Sequence, residues 1–290
     1  MIISFHPLFP GDICRLAAGR DPGPEDEAWI RQAKAVILPQ GCRERWYRLA
    51  RRLCSHVFPN YDARFAYPGK IGQIRLFRSL GIPHPPSRLY PQLSILEAEG
   101  ETGLERPPMP TPFVFKFDWG DEGRTVHRIG SLRDWDTVVS LARRYESTGQ
   151  KGFLIQQLVP CGARSLRVVV IGTRRIAYWR VLDDPDAFAA SVSSGAWIDF
   201  DVDTHRLDRA LAAVDALCRP TGIDLAGLDM LFCAESDAAG AETPLFIEIN
   251  YFFGRKGLGG SEGYYRLLTR EIERWLDAIG CATPACREKD

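Results

Sequence analysis

Residues 225–254 read LAGLDMLFCAESDAAGAETPLFIEINYFFG. Two apolar runs flank a polar interruption. Each run is short and bounded by Gly, Ser, Asp or Pro, the pattern of buried strands. Each also carries polar groups that a buried strand has no use for: Asp229 in the first, Glu248 and Asn250 in the second. Desolvating an unpaired carboxylate is costly, so a compensating partner is expected. Strand side chains alternate between faces, so Glu248 and Asn250 project from one face, roughly 6–7 Å apart along the strand. If the interruption is a hairpin connection, Asp229 lies on the adjoining strand and faces the same space. Three oxygen donors with no His or Cys among them suit a hard cation. Mg²⁺ bound by a few protein oxygens and by substrate phosphates is the natural candidate, with Mn²⁺ as the alternative. The competing reading is a set of strand-end polar groups turned to solvent.

Length and composition narrow the class. The chain has 290 residues, enough for one large domain or two to three lobes with real cores. It is 45% hydrophobic with mixed charge, which reads as soluble and globular. Lys plus Arg equals Asp plus Glu at 37 each, a balance that argues against a general nucleic-acid or membrane-surface binder. MIISFHPLFPGD lacks the basic start of a signal peptide, and no stretch approaches the length of a membrane span. The eight cysteines form no C-x-x-C pair, which points to reduced thiols in a cytoplasmic setting rather than to a structural zinc site.

Residues 1–85 alternate strand and helix: IISF, PEDEAWIRQA, KAVILPQ, CRERWYRLARRLC and SHVFPN. Such alternation predicts a small α/β lobe with a parallel sheet. In the second helix Trp46, Leu49 and Leu53 face the core, while Arg45, Arg48 and Arg52 form a stripe best read as a solvated face, with an acidic partner as the alternative. GKIGQIRLFRSLGIPHPPS follows as a helix ended by Gly81 and prolines. Lys70 at its start opposes the helix dipole, so a helix alone does not explain it. After a Pro-rich linker, TPFVFKFDWGDEGRTVHRIG reads as strand, glycine-bearing loop, strand, with Lys116 inside the first strand. Gly120 and Gly123 could let backbone N–H groups approach phosphate, although a hairpin with two glycines is common. A helix over about 131–147 and the strand FLIQQLVP come next. SLRVVVIGTRRIAYWRV is a hairpin turning at Gly172-Thr173. Its register puts Ser165, Arg167, Tyr178 and Arg180 on one face, with the arginines as diagonal neighbours. Two cations held that close invite an anion between them, unless local acids such as Asp183 or Asp184 pair with them. A polar loop, a helix from about Thr204, the two strands of the opening stretch and a helix from about Ser261 complete the chain.

These pieces, in this order, resemble the ATP-grasp carboxylate–amine ligases, most closely the branch holding the ribosomal-protein glutamate ligase and bacterial glutathione synthetase. The resemblance runs from about Pro68 to the final helix. GKIGQIRLFRSLGIPHPPS is similar to the family's lysine-led helix, and FVFKFDWGDEG to its second lysine strand and glycine-rich loop. FLIQQLVP sits where the family leads into its adenine hinge. SLRVVVIGTRRIAYWRV resembles its D-x-R hairpin, and GLDML and IEIN resemble its metal-binding Asp and E-x-N. The resemblance implies an α/β ATP-grasp fold divided into an N-terminal parallel pre-ATP-grasp lobe over 1–85, a small lobe over 86–160 and a large lobe over 161–290. It implies that Lys70, Lys116, Gly120 and Gly123 contact ATP, that Gln156, Gln157, Leu158 and Val159 form the adenine hinge, and that Arg167 and Arg180 face the γ-phosphate. It implies that Asp229, Glu248 and Asn250 hold Mg²⁺. The activity implied is an ADP-forming ligase joining a small-molecule or peptide carboxylate to an amine through an acyl phosphate, in a cytoplasmic protein that is a candidate homo-oligomer. Phosphoryl transfer needs charge neutralisation and positioning more than a protein nucleophile, and the chain offers no Ser–His–Asp set and no Walker-type loop. The sequence departs from the family at Gln157 for Glu, Ser165 for Asp, Ser191 for Asn, and Tyr251 after the E-x-N. These departures keep open a second reading, a non-ligating ATP-binding module with a partner-binding role.

Overall fold

The structure, a computed structural model, describes residues 1–100, 104–120, 125–184, 188, 195–233 and 242–281. Gly123 and Ser191 lie outside these. The N-terminal part is an open α/β unit. Strands β1 (Ile2–Ser4), β2 (Ile13–Cys14), β3 (Ala35–Ile37) and β4 (Val57–Phe58) form a sheet of order β2-β1-β3-β4 with every pair parallel. Helix α1 (Pro24–Gln32) opens with Pro24 and three acids, as helix starts favour. Helix α2 (Glu44–Leu53) buries Trp46, Tyr47 and Ala50, with Leu49 and Leu53 packed at the edge of the same core. Its arginine stripe is solvated: Arg45 pairs with Asp21, Arg48 with Glu44 and Arg52 with Glu27. Exposed pairs of this kind contribute about 0–1 kcal/mol each. Helices α3 (Asp62–Ala66) and α4 (Gly69–Ser79) lead out of this unit.

The second sheet has order β5-β8-β6-β7 and is antiparallel throughout. Its strands are β5 (Ser87–Tyr90), β6 (Phe113–Phe117), β7 (Val126–Ile129) and β8 (Phe153–Gln157), with helices α5 (Leu93–Glu97) and α6 (Leu132–Ser147) between them. Phe113, Phe115 and Phe117 face α6, where Trp135, Val138, Val139 and Ala142 complete a core. The alternate residues, Val114 and Lys116, therefore face away from that core. The Pro-rich segment expected to be a linker holds β5 and α5; four- and five-residue elements are too short to show a period, and β5 is fixed by pairing with β8.

The third sheet, order β11-β10-β9-β12-β13, consists of β9 (Arg164–Ile171), β10 (Arg174–Val181), β11 (Trp197–Asp199), β12 (Leu225–Leu231) and β13 (Leu245–Asn250). The three-residue β11 lies in the segment expected to be loop; it is an edge strand set by its pairing with β10. The β9–β10 register pairs Arg167 with Tyr178 and Ser165 with Arg180, as the turn at Gly172-Thr173 predicts. One face carries Leu166, Val168, Val170, Leu228, Met230, Phe246 and Ile249 against helix α7 (Thr204–Thr221). The other face buries Val169, Ile171, Tyr178 and Leu225 with helix α8 (Gly260–Ala278) and with the N-terminal sheet, in one continuous core. Between β12 and β13 the register shifts at Asp229/Met230: Asp229 opposes Glu248, but Met230 opposes Phe246. Ile247 is the extra residue of a β-bulge. Strict alternation would put Phe246 on the side of Glu248; the bulge sends Phe246 to the α7 core while Glu248 and Asn250 stay on the other face. Phe246 is 0% exposed. Phe246→Ala is expected to lower unfolding free energy by about 3–5 kcal/mol, read as a fall in the urea midpoint at unchanged m-value.

Candidate functional site

One rung crosses the third sheet. Tyr178 opposes Arg167, Arg167 opposes Asp229, and Asp229 opposes Glu248. Arg180 and Ser165 oppose one another one step along the same face. Asp229, 5% exposed, receives four hydrogen bonds. Arg167 Nε donates to Oδ1 and Nη2 to Oδ2, each at 2.7 Å. Arg180 Nη2 reaches Oδ1 at 3.0 Å and Asn250 Nδ2 reaches Oδ2 at 3.0 Å. A carboxylate has about four lone-pair positions, so all of those on Asp229 are filled. Burial pushes the Asp229 carboxyl up, but the two guanidiniums outweigh it and hold the carboxyl below its usual range. Asp229 is thus the counter-ion of both arginines. Asp183 instead accepts from Trp197 Nε1 at 3.2 Å. Arg180 Nε also donates to Ser165 Oγ at 3.0 Å.

Helix α4 meets this rung from the side. Lys70, 7% exposed, lies 3.4 Å from Glu248 and donates to the Gly120 carbonyl at 2.8 Å. The charge that the helix N-terminus disfavours is therefore held by a carboxylate of another element. The N-terminus itself is capped by Asp118, whose Oδ1 accepts from the Ile71 N–H at 2.6 Å. Gly69, at φ +69°, is required there: a Cβ would come within 2.5 Å of the Asp118 carboxylate. One turn on, Gln73 spans the open edge of β13. Its Nε2 donates to the Ile249 carbonyl at 2.9 Å and its Oε1 accepts from the Ile249 N–H at 2.8 Å. The Gln73 carboxamide thus acts as one more strand residue, fixing the backbone between Glu248 and Asn250.

From the second sheet, Lys116 reaches the same space, 9% exposed. It donates to Gln156 Oε1 at 2.7 Å, and Gln156 Nε2 donates to Ser87 Oγ at 2.9 Å. Burial pulls the Lys116 pKa down to about 8, against the upward pull of Glu248. The structure thus brings together Lys70, Lys116, Arg167, Arg180, Asp229, Glu248 and Asn250 and puts Gly120 beside Lys70. Gln156 is committed to Lys116 and Ser87, while Gln157 is exposed and Leu158 and Val159 are half-buried at the end of β8. Gln73 and Asp118 were not singled out from sequence: a Gln on a helix and an Asp before a loop are commonplace until their partners are known. Among the described residues no three of His, Cys, Asp and Glu cluster as metal ligands, so the candidate set is two acids and an amide. No described helix is long and apolar enough to cross a membrane.

No model of a known protein family matches the sequence, and no curated protein does. Solved structures match in number, at 438 chains. A RimK domain ATP-grasp protein from Sphaerobacter thermophilus superposes with TM-score 0.56 at 16% identity, over 82% of this chain and 81% of that one. L-amino acid ligase from Bacillus licheniformis gives TM-score 0.59 at 12% identity, over 96% of this chain and 67% of that one. D-alanine–D-alanine ligase from Bacillus anthracis gives TM-score 0.59 at 11% identity, over 93% and 88%. The chain has the ATP-grasp fold.

Two outcomes follow from the contacts alone. Asp229→Ala leaves two buried guanidiniums without their counter-charge and is expected to cost about 3–5 kcal/mol in urea unfolding. Gln73→Ala should speed hydrogen exchange at the Ile249 amide at least about tenfold, since that N–H loses its acceptor on an open sheet edge. Unchanged protection would mean that Gln73 does not fix the strand.

Proposed function

We propose that this protein is an ATP-dependent C–N ligase. It would transfer the γ-phosphoryl group of ATP to a substrate carboxylate and let an amine displace phosphate from the acyl phosphate, releasing ADP and phosphate. The observation that carries this reading is a charge imbalance. Four buried or nearly buried cations, Lys70, Lys116, Arg167 and Arg180, face two carboxylates, Asp229 and Glu248. Asp118, at the start of α4, is a third acid nearby, and the cations remain in excess. A chain of zero net charge has gathered positive charge at one place, and a polyphosphate is the matching anion. The fold supports the same reading, since the solved structures it resembles include named ligases.

The donor set fits Mg²⁺ in part. Asn250 Nδ2 is fixed on Asp229, and its Oδ1 has no hydrogen bond among the described residues; Glu248 is the half-buried acid beside it. These two hard oxygens would hold the ion, and Asp229 would join when an arginine leaves it for phosphate. When bound, the ion would neutralise phosphate charge. Lys70 and Lys116 would grip the phosphates from the two flanking elements, with Gly120 beside them. Arg167 and Arg180 would stabilise the charge that spreads over the transferring oxygens, with no protein nucleophile in the path. Gln157, Leu158 and Val159 would form the adenine side.

Arg180→Lys keeps the charge but loses the planar fork, so it should lower kcat far more than it weakens ATP binding; equal losses would point to plain ground-state binding. Carboxylate labelled with heavy oxygen should deliver label to inorganic phosphate alongside ADP, whereas AMP with pyrophosphate would remove this mechanism. At pH 8 to 8.5 Lys116 is partly neutral, and phosphate beside it favours the charged form. Nucleotide binding should then take up protons, seen as a binding enthalpy that depends on buffer ionisation heat, with the uptake falling as the pH is lowered from 8.5 toward 7.5. Saturated acceptors on Asp229 favour a second reading, a nucleotide-binding module. Tight Mg-ATP binding with no ADP formed across a broad panel of carboxylates and amines would select it.

A further inference from the structure

Helix α4 and the segment behind it make four contacts along the flank of β13. Lys70 lies 3.4 Å from Glu248, and Gln73 grips both backbone groups of Ile249. The Phe77 ring packs on the Phe246 ring, with 5.7 Å between centroids. The Pro83 carbonyl, past the end of the helix, accepts from the Phe246 N–H at 2.9 Å. The outer edge of β13, the last strand of its sheet, is thus held at two points, Phe246 and Ile249.

In a regular strand those two points would not share an edge. Successive residues turn their backbone groups to opposite edges, so residues three apart do the same. The bulge at Ile247 removes the conflict. Asp229 opposes Glu248 and Met230 opposes Phe246, so Ile247 is passed over and Phe246 and Ile249 both turn outward. The α4 segment is therefore matched to the bulged form of the strand and not to the regular one. The same bulge keeps Glu248 and Asn250 on the face of the charged rung, while Phe246 and Ile249, 0% and 2% exposed, enter the α7 core.

Each neighbour of Ile249 has a partner of its own. Asn250 Nδ2 donates to Asp229 at 3.0 Å, and Glu248 lies beside Lys70. Those contacts orient the two side chains, but they do not hold the backbone that spaces them. Gln73 does. A carboxamide carries a donor and an acceptor side by side, so it can take the place of a neighbouring strand. An edge strand without such a neighbour leaves its N–H and C=O groups to water and is free to twist. Core packing of Phe246 and Ile249 already secures β13 to its sheet. The amide clamp falls instead on the one residue between the two candidate ligands, one helical turn after Lys70.

We propose that Gln73 is a positioning residue for the oxygen pair of Glu248 and Asn250, holding the backbone between them so that the two oxygens keep the spacing a divalent cation needs. The role rests on the ligase reading of this site. Calorimetric titration of the full chain with ADP, once with Mn²⁺ and once with EDTA, tests it. The ratio of the two affinities measures what the cation adds. Glu248→Gln should abolish that gain, which identifies the site. Gln73→Leu should cut the gain about tenfold or more, as loss of a group supporting metal ligands does, and leave the metal-free affinity where it was. Gln73→Asn, one methylene too short to reach both groups, supplies the same comparison should Gln73→Leu fail to fold. A gain lost in Glu248→Gln but intact in the Gln73 variants overturns the positioning role and leaves the ligase reading standing. Equal weakening with and without Mn²⁺ would reduce Gln73 to a residue that only holds the fold. No gain in the unaltered chain, or a gain that Glu248→Gln leaves untouched, removes the cation from this site and the positioning role with it.

Discussion

The rest of this site depends on the carboxylate of Asp229. Two guanidiniums held on one face of an antiparallel pair repel each other, and burial takes away the water that would screen them. Asp229 sits opposite Arg167 on the next strand and within reach of Arg180, and it is the group that lets both cations stay buried. Its burial in turn is tolerable because every lone pair is filled. The cluster is therefore mutual: the arginines lower the cost of the acid and the acid lowers the cost of the arginines. Asn250, anchored on the same carboxylate, acquires its orientation from it.

Much of this was legible in the sequence, for a specific reason. Period-two alternation and a two-residue turn fix which residues share a face, so the register of Arg167 with Tyr178 and the common face of Glu248 and Asn250 follow from spacing alone. What spacing does not give is the partner from another element. Local acids such as Asp183 or Asp184 were the alternative partners in the sequence, and the structure pairs the arginines with Asp229, 62 positions from Arg167. Gln73 lies 176 positions from Ile249, and nothing in a helical GKIGQ marks that glutamine as a surrogate strand residue. The bulge at Ile247 is equally silent, because PLFIEIN reads as a regular strand until Phe246 has to reach the α7 core.

Placement of the cations also follows from element geometry. Lys70 is a poor choice for the second residue of a helix in isolation, and Lys116 is a poor choice for a sheet with an aromatic core on one side. Each is held by a polar atom of a different segment, Gly120 and Glu248 for Lys70 and Gln156 for Lys116. Local propensity is overridden at the positions where the sheets and α4 converge, as it is at functional sites generally.

Ser165 also enters this balance. An acid at that position would give Arg180 a second counter-charge and, with Asp229, Glu248 and Asp118, bring the local count of acids to four. Serine accepts a hydrogen bond from Arg180 Nε without adding charge, so among the described residues Asp229 is the acid paired with both arginines. A smaller negative count leaves more positive potential for an incoming anion, and it leaves Asp229 harder to detach from its arginines. Those two effects pull in opposite directions for a polyphosphate that arrives with a cation. In the proposed ligase a polyphosphate would gain from the excess of cations, while a cation would have Glu248 and Asn250, and Asp229 only once an arginine left it. If the site works as proposed, serine in place of an acid at this one position would favour holding phosphate over holding a metal, with the same residues lining the site.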